Sequence, residues 1–268
     1  MRTSNPILGR ADSFTPAHAT PYDGTSAVPQ GQEVVVNQFG QSYMVPNRMT
    51  IDDVLTKSSI LLLVVAAFAA ASWVLLPPRL LWPVALIGTL VVFVTSLIVA
   101  TRHQVSKVGI GIYAVVEGIV IGAWSAMFNL LYPGIVAQAI IATMFTAAVV
   151  FGAYKYLNVR IQGRFAKIIT YGVLAYALFA FVSLILMLFG VHTGAFLIGS
   201  NAGPFAWILS AIAVFLASAS LVQDFQAIEN GVNIGAPEEE SWRAAFGLLV
   251  TLVWLYTEIL RVMSYFRN

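Results

Sequence analysis

Long uncharged runs of apolar residues, separated by short polar segments, make up most of the chain after residue 50. A helix that spans a membrane needs about 20 predominantly apolar residues. Seven runs of this kind follow one another, at Val54–Leu76, Leu81–Ala100, Val108–Leu131, Gly134–Leu157, Ile168–Phe189, Phe205–Ile228 and Ala244–Met263. The pattern therefore predicts an all-α polytopic membrane protein, built as a bundle of seven transmembrane helices.

Local signals predict where some of these helices begin and end. Thr50 is followed by Asp52 and Asp53, which is typical of an N-terminal cap with carboxylates in the first helical turn. Pro77 and Pro78 stop the first span, and Gly231 is the predicted C-terminal stop of the sixth.

Residues 1–50 differ from the rest of the chain. They contain scattered prolines among Ser, Thr, Gln, Asn and Gly, and no apolar periodicity. A segment of this composition buries too little apolar surface to offset the entropy of ordering. We expect residues 1–50 to form a flexible cytoplasmic tail and residues 51–268 to form the seven-helix transmembrane domain. No apolar run follows Arg2, so the tail does not resemble a signal peptide.

Composition and charge limit the classes of protein and of partner that fit this chain. The chain is 59% hydrophobic and 10% charged, whereas soluble domains carry about 25% charged residues. Its surface therefore belongs in a lipid bilayer. The net charge of +2, without a basic stripe, excludes nucleic acid as a partner. Because the chain contains no cysteine, disulfides, thiolate catalysis and cysteine metal sites are excluded.

Basic residues in the short connections predict the orientation. The connection after the second span holds Arg102 and Lys107, and the one after the fourth holds Lys155, Arg160, Arg164 and Lys167. The opposite connections hold only Arg79. Lys and Arg accumulate on the cytoplasmic side. We expect a multi-pass protein of the inner (plasma) membrane with a cytoplasmic N-terminus and an acidic cytoplasmic connection between spans six and seven.

Small residues recur at helical spacing in two spans. The third span carries Ala114, Gly118, Gly122 and Ala126 on one stripe, and the sixth carries Ser210, Ala213, Ala217 and Ser220 on a face that continues to Asp224. Such stripes let membrane helices approach closely. They predict helix packing, and they predict that Asp224 points towards protein or trapped water.

Acidic residues within the spans are the candidate functional groups, because a charge at membrane depth costs roughly 2.5 to 3.5 kcal/mol even on insertion scales. Glu117 is either hydrogen-bonded to a hydroxyl of a neighbouring helix or part of an ion or proton path. Asp224 is either a residue at the end of its span that reaches the interface or a sensor. Glu258 either pairs with Arg261, three residues later, at the membrane interface, or lines the ion path.

Catalytic motifs are missing from the sequence. It has no His-Glu-x-x-His, no Gly-x-Ser-x-Gly and no phosphate loop. We therefore expect a protein that is not an enzyme and has no cofactor. Calcium would need several converging oxygen ligands, and the scattered acids leave a metal site unknown.

Two segments carry a resemblance to a known family. The segment from Tyr113 through Glu117 and Gly118 to Gly122 resembles the Glu/Gln-Gly-x-x-Leu-Gly segment of the Bax inhibitor-one family. The segments Asp224–Gly231 and Trp242–Arg261, the second of which contains Thr-Leu-Val-Trp-Leu-Tyr-Thr-Glu, resemble its bacterial YccA-like branch.

The resemblance implies a bundle in which the last helix is central and enclosed by the other six. Family members that conduct ions are pH-sensitive calcium leak channels, gated by two aspartates on the last two helices and by an arginine after the second helix. Asp224 matches the first aspartate, and Arg102 matches the arginine. The second position falls at Thr251, which is not an acid, so the two-aspartate sensor is incomplete here.

Two hypotheses follow for the function. The first is a pH-sensitive cation leak channel or a regulator of ion homeostasis, with Ca2+ as the candidate permeant ion and Asp224, Thr251, Glu117, Glu258 and Arg102 along the path or sensor. The second is a membrane scaffold that transports nothing and modulates another membrane protein complex, such as a quality-control protease. The tail and the acidic connection motivate the second.

Overall fold

The computed structural model describes residues 20–25, 27–28, 32–36, 40–101, 105–191, 193–199 and 202–267. Within these residues, seven helices are long and apolar enough to cross a membrane. They are α1 Ile51–Leu75, α2 Pro78–Thr101, α3 Lys107–Leu131, α4 Ile135–Tyr156, α5 Gly163–Leu188, α6 Pro204–Asn233 and α7 Glu240–Tyr265. The predicted all-α polytopic membrane protein with seven spans is therefore confirmed.

The helix ends agree with the local signals at some positions and differ at others. Thr50 caps α1 as predicted, because its Oγ1 accepts a hydrogen bond of 3.2 Å from the backbone N–H of Asp53. The predicted stop at Gly231 is wrong, since α6 continues to Asn233 and the left-handed residue that follows is Gly235, with φ of +66°. The last turns of α6 are rich in polar residues, so the apolar pattern does not indicate that the helix continues there.

The fifth and seventh helices also begin earlier than the apolar runs. Helix α5 starts at Gly163 and takes Arg164 and Lys167 into its first turns. Helix α7 starts at Glu240, with that acid in its first turn. The residues between α6 and α7, 234–239, are called the hinge below, and the end of the bundle that holds them is called the hinge end.

Three short strands precede the helices, and the sequence does not predict them. They are β1 Thr20–Pro21, β2 Gln32–Val36 and β3 Ser42–Pro46. The strands form one antiparallel sheet in the order β1-β3-β2. The expected flexibility of residues 1–50 concerns motion and stays a prediction, and residues 1–19 lie outside the described part of the chain.

The small-residue stripe of α3 lies where α1 and α2 pack on it. A Cβ added to Gly118 would lie 2.7 Å from the Val65 carbonyl oxygen, and one added to Gly122 would lie 2.8 Å from the Ala69 Cα. Ala114 is buried with α1 residues, whereas Ala126 packs with Leu81 and Ala85 of α2. The missing side chains therefore let α1 approach the α3 backbone closely.

Helix α7 packs against α1, α3, α4 and α6. Its buried residues include Leu249 on the side of α1 and α3 and Leu255 on the side of α4 and α6. The implied enclosure of this helix by all six others stays a prediction.

We predict that Gly118→Ala destabilises the bundle by about 1 to 3 kcal/mol, because the new methyl group would overpack a backbone contact. Gly111→Ala is the matched control on the same helix, since a Cβ there meets nothing within 4 Å. Thermal unfolding of both variants in detergent measures the difference. Equal stability of the two variants would contradict the close α1–α3 approach.

Candidate functional site on the last two helices

Helices α6 and α7 run antiparallel and place polar side chains between them at two levels. Near the hinge end, Asp224 faces Thr251, and further along the pair, Ser210 contacts Arg261. Thr251, Glu258 and Arg261 are all buried on α7. Polar groups in a membrane helix are costly when they face lipid. Here they face the neighbouring helices.

The Asp224 carboxyl lies next to Gly247 and Thr251 of α7. A Cβ added to Gly247 of α7 would lie 3.7 Å from the Asp224 Oδ1. The Thr251 hydroxyl, one turn further along α7, interacts with the same carboxyl. The Oδ2 atom is buried and has no hydrogen-bond partner among the described residues. Asp224 is therefore held between helices with part of its hydrogen-bonding capacity unused.

Thr251 lies next to Asp224, at the position the family resemblance assigns to a second acid. The contacts that the structure gives for Asp224 are with a threonine hydroxyl and a glycine, and not with another carboxylate. Asp224 therefore faces a neutral hydroxyl group on α7, which does not repel its charge as a second carboxylate would.

The second level is an ion pair inside the protein. The Arg261 Nη2 lies 2.5 Å from the Glu258 Oε2. Glu258 is 4% exposed and Arg261 is 7% exposed. The predicted pairing of these residues is therefore present, and both side chains lie inside the protein, whereas their depth relative to the membrane interface stays a prediction. Neighbouring helices cover both side chains, which the spacing along α7 alone does not indicate.

Side chains of α5 and α6 complete the surroundings of this ion pair. The Tyr176 hydroxyl donates a hydrogen bond to Glu258 and accepts one of 3.2 Å from the Arg261 Nη2. The Arg261 Nε donates to the Ser210 Oγ at 3.0 Å, and the Trp254 Nε1 donates to Glu258 at 3.3 Å. A buried ion pair is stable only when further hydrogen bonds satisfy it. These contacts supply them.

The connection between α5 and α6 covers the same ion pair. The Arg261 guanidinium lies 4.7 Å from the centre of the Phe196 ring, which is cation–π distance. The backbone N–H of Gly199 donates a hydrogen bond of 3.1 Å to the Ser264 Oγ. The connection therefore folds over the end of α7.

Glu117 is a third buried acid, on α3. It is 5% exposed, and its Oε2 has no hydrogen-bond partner among the described residues. The carboxyl interacts with Tyr113, one turn earlier. The predicted hydroxyl partner on a neighbouring helix is therefore wrong, since the hydroxyl that Glu117 contacts belongs to α3 itself. A role of Glu117 in an ion path stays a prediction. Tyr113 in turn packs edge-on against Phe246 of α7, with ring centres 5.0 Å apart.

Sequence reasoning missed part of this site, and one candidate cannot be placed. Tyr176 and Trp254 were not predicted as polar partners. Trp254 has a local signal, because it precedes Glu258 by one helical turn, whereas Tyr176 on α5 has none. Arg102 lies outside the described residues. Among those described, there is no group of three or more histidines and acids that could hold a metal ion.

The fold and these buried polar groups define a polytopic membrane protein with seven spanning helices and charged residues inside the bundle. A family model described as Bax inhibitor 1 like matches residues 5–268. The chain therefore belongs to the Bax inhibitor family. A search of curated proteins finds no match to it.

We predict that Glu258→Gln destabilises the protein by about 3 to 5 kcal/mol, because it leaves the Arg261 charge buried without a counter-charge. Replacing both residues, as in Glu258→Leu with Arg261→Met, is expected to restore much of that loss. Glu240→Gln is the matched control, since it breaks a partly exposed pair with Arg243 at the same spacing on α7. Such a pair contributes about 0 to 1 kcal/mol.

Chemical unfolding of the purified variants, followed by far-ultraviolet circular dichroism, measures these differences. A Glu258→Gln protein as stable as the Glu240→Gln protein would contradict the account of a buried pair.

Proposed function

We propose that this member of the Bax inhibitor family passes cations across the membrane, or regulates their passage, in response to pH. Asp224 is the sensor, Thr251 is its partner on α7, and calcium is the candidate permeant ion. The observation that carries the proposal is the position of the Asp224 carboxyl between α6 and α7, with Oδ2 buried and without a hydrogen-bond partner in the described part of the chain.

The proton on Asp224 decides whether a negative charge lies between two packed helices. A neutral carboxyl fits against Gly247 and the Thr251 hydroxyl. An ionised carboxylate in the same place needs water, a cation or a donor for both oxygens. Movement of α7 away from α6 would admit them. Deprotonation thus favours a hydrated interface, and carboxylate and hydroxyl oxygens are suitable ligands for a hard cation such as calcium.

Glu258, Arg261 and Glu117 are further groups of the proposed path. The Glu258–Arg261 pair lies beyond Asp224 along α7, on the side away from the hinge, and Glu117 lies on α3, which also packs against α7. Between the two levels, Ala217 and Leu255 are buried together. In this proposal the apolar layer blocks ions until α7 moves.

The proposed cellular setting is the bacterial inner membrane, and the proposed branch of the family is the YccA-like one. The hinge end, with Lys155, Arg160, Arg164 and Lys167 in and around the α4–α5 connection, faces the cytoplasm. The protein acts without enzymatic chemistry and without a cofactor.

The alternative, a scaffold that transports nothing, uses the tail and the acidic hinge as a binding surface. Two of the three consecutive acids are already engaged within the chain, because Glu238 contacts Lys57 and Glu240 contacts Arg243. Glu239 is exposed. These contacts leave less free acidic surface for a partner, so the transport proposal is preferred.

We predict that proteoliposomes of the parent protein release calcium faster at mildly alkaline than at mildly acidic pH, and that Asp224→Asn removes this difference. Thr251→Val should shift the response while keeping it, because it removes a hydroxyl partner and leaves the carboxyl. Flux is followed with a calcium-sensitive dye inside the vesicles.

Asp52→Asn is the matched control, since Asp52 is an exposed aspartate at the same end of the bundle. It should behave like the parent. A parent protein that shows no cation flux at either pH would rule the transport proposal out. Flux with the same pH response in Asp224→Asn would rule out Asp224 as the sensor.

A further inference from the structure

We propose that residues 47–49, here called the strap, hold the hinge between α6 and α7 and thereby restrain α7 against Asp224. Release of the strap would be the means by which the N-terminal segment regulates the site. The effect on ion flux rests on the proposed function, whereas the restraint of the hinge does not.

Backbone hydrogen bonds tie the strap to the hinge. The N–H of Met49 donates to the carbonyl of Ala236, and the N–H of Glu238 donates to the carbonyl of Asn47, both at 2.8 Å. Arg48 and Pro237 face each other between these bonds as an antiparallel bridge. A short two-stranded ladder thus joins the entry to α1 with the connection between the last two helices.

The Met49 side chain of the strap is buried against α6 and α7, and its α6 contacts lie near Asp224 in the sequence. It is 4% exposed and packs in one cluster with Leu221, Ile228 and Leu248. Leu221 and Ile228 lie one turn before and one turn after Asp224 on α6, and Leu248 is adjacent to Gly247 on α7. Met49 therefore packs against the segments of α6 and α7 that carry Asp224 and Gly247.

A glycine on α6 permits this approach. A Cβ added to Gly231 would lie 3.1 Å from the Met49 Sδ. Gly231 lies inside α6 rather than at its end. A helical glycine costs about 1 kcal/mol relative to alanine, and the close contact with Met49 gives it a packing role.

Polar and charged side chains of the strap and of the first turns of α1 contact Glu238 of the hinge. The Lys57 Nζ lies 2.6 Å from the Asp53 Oδ2 and 3.2 Å from the Glu238 Oε1. The Asn47 Nδ2 donates a hydrogen bond of 3.2 Å to the Glu238 Oε2. The Lys57 ammonium also lies 5.5 Å from the centre of the Trp242 ring. The acidic hinge thus binds the N-terminal end of α1 and the strap before it, through Glu238.

The strap is suited to release because few contacts hold it. Among the described residues, it has two backbone hydrogen bonds and one side-chain hydrogen bond to the hinge, together with one buried side chain, and it lies outside the spanning helices. Regions with few buried contacts open at lower free energy than the core. Strand β3 ends at Pro46, directly before the strap. A force or a partner acting on the sheet would therefore act on the strap.

A disulfide can lock the strap for a direct test. The chain has no cysteine, and Arg48 and Pro237 form a non-hydrogen-bonded antiparallel pair, whose Cα atoms are typically about 4.5 Å apart. That distance suits a disulfide. The full-length Arg48→Cys, Pro237→Cys protein is oxidised and compared with its reduced form, with Arg48→Ser, Pro237→Ser as the matched control.

We expect the oxidised protein to show slower amide hydrogen exchange in residues 228–244 than the reduced protein, and slower calcium flux from vesicles, with both effects reversed by reductant. The serine variant should not respond to oxidant or reductant. In the opposite direction, Lys57→Met should speed exchange in the same residues, whereas Lys167→Met, at an exposed lysine of the same end, should not.

Failure of the disulfide to form would overturn the proposal, because the bridge would then not be populated. A disulfide that forms but leaves exchange at the hinge unchanged would also overturn it. If the hinge responds but flux in the active parent does not, the strap does not regulate the site. A parent without flux would instead overturn the proposed function, and exchange would still decide whether the strap restrains the hinge.

Discussion

A carboxyl group enclosed between two membrane helices is costly unless its charge and hydrogen-bonding capacity are satisfied, and Asp224 places this constraint on the contact between α6 and α7. Asp224 contacts α7 at Gly247 and at Thr251, whose hydroxyl interacts with the carboxyl. Met49 packs in one buried cluster with residues of both helices. In the proposed mechanism, a change in the charge of Asp224 therefore acts on a contact that the hinge and the strap also hold.

The same constraint accounts for the other charged residues inside the bundle. Glu258 and Arg261 satisfy each other on α7, and Tyr176 and Ser210 bring α5 and α6 into the same hydrogen-bonded group. A buried pair of this kind contributes little to stability compared with an apolar replacement, but removing one partner is costly. Because both charges lie on α7, the hydrogen bonds to Tyr176 and Ser210 are what join the pair to α5 and α6. The Ser210 contact adds a second polar contact between α6 and α7 to the one at Asp224.

Much of the fold could be predicted from the sequence, because membrane spans depend on local composition. The apolar runs predict the seven spans, Thr50 followed by two aspartates predicts the cap of α1, and the spacing of Glu258 and Arg261 predicts their pairing. Contacts between distant segments left no such local signal. The hydrogen bond between Asn47 and Glu238 joins residues 191 positions apart, and Tyr176 reaches Glu258 from another helix. The burial of the ion pair likewise follows from packing that one helix alone does not specify.

The central claim is that the charge on Asp224 sets the position of α7 relative to α6. It is tested most directly by electron spin resonance distances between labels on cysteines introduced at Asn230 of α6 and Arg243 of α7, both exposed, in a chain without native cysteine. We predict a longer distance at mildly alkaline than at mildly acidic pH, and a single distance at both in Asp224→Asn. A distance that is the same at both pH values in the parent, or that shifts equally in Asp224→Asn, would contradict the claim.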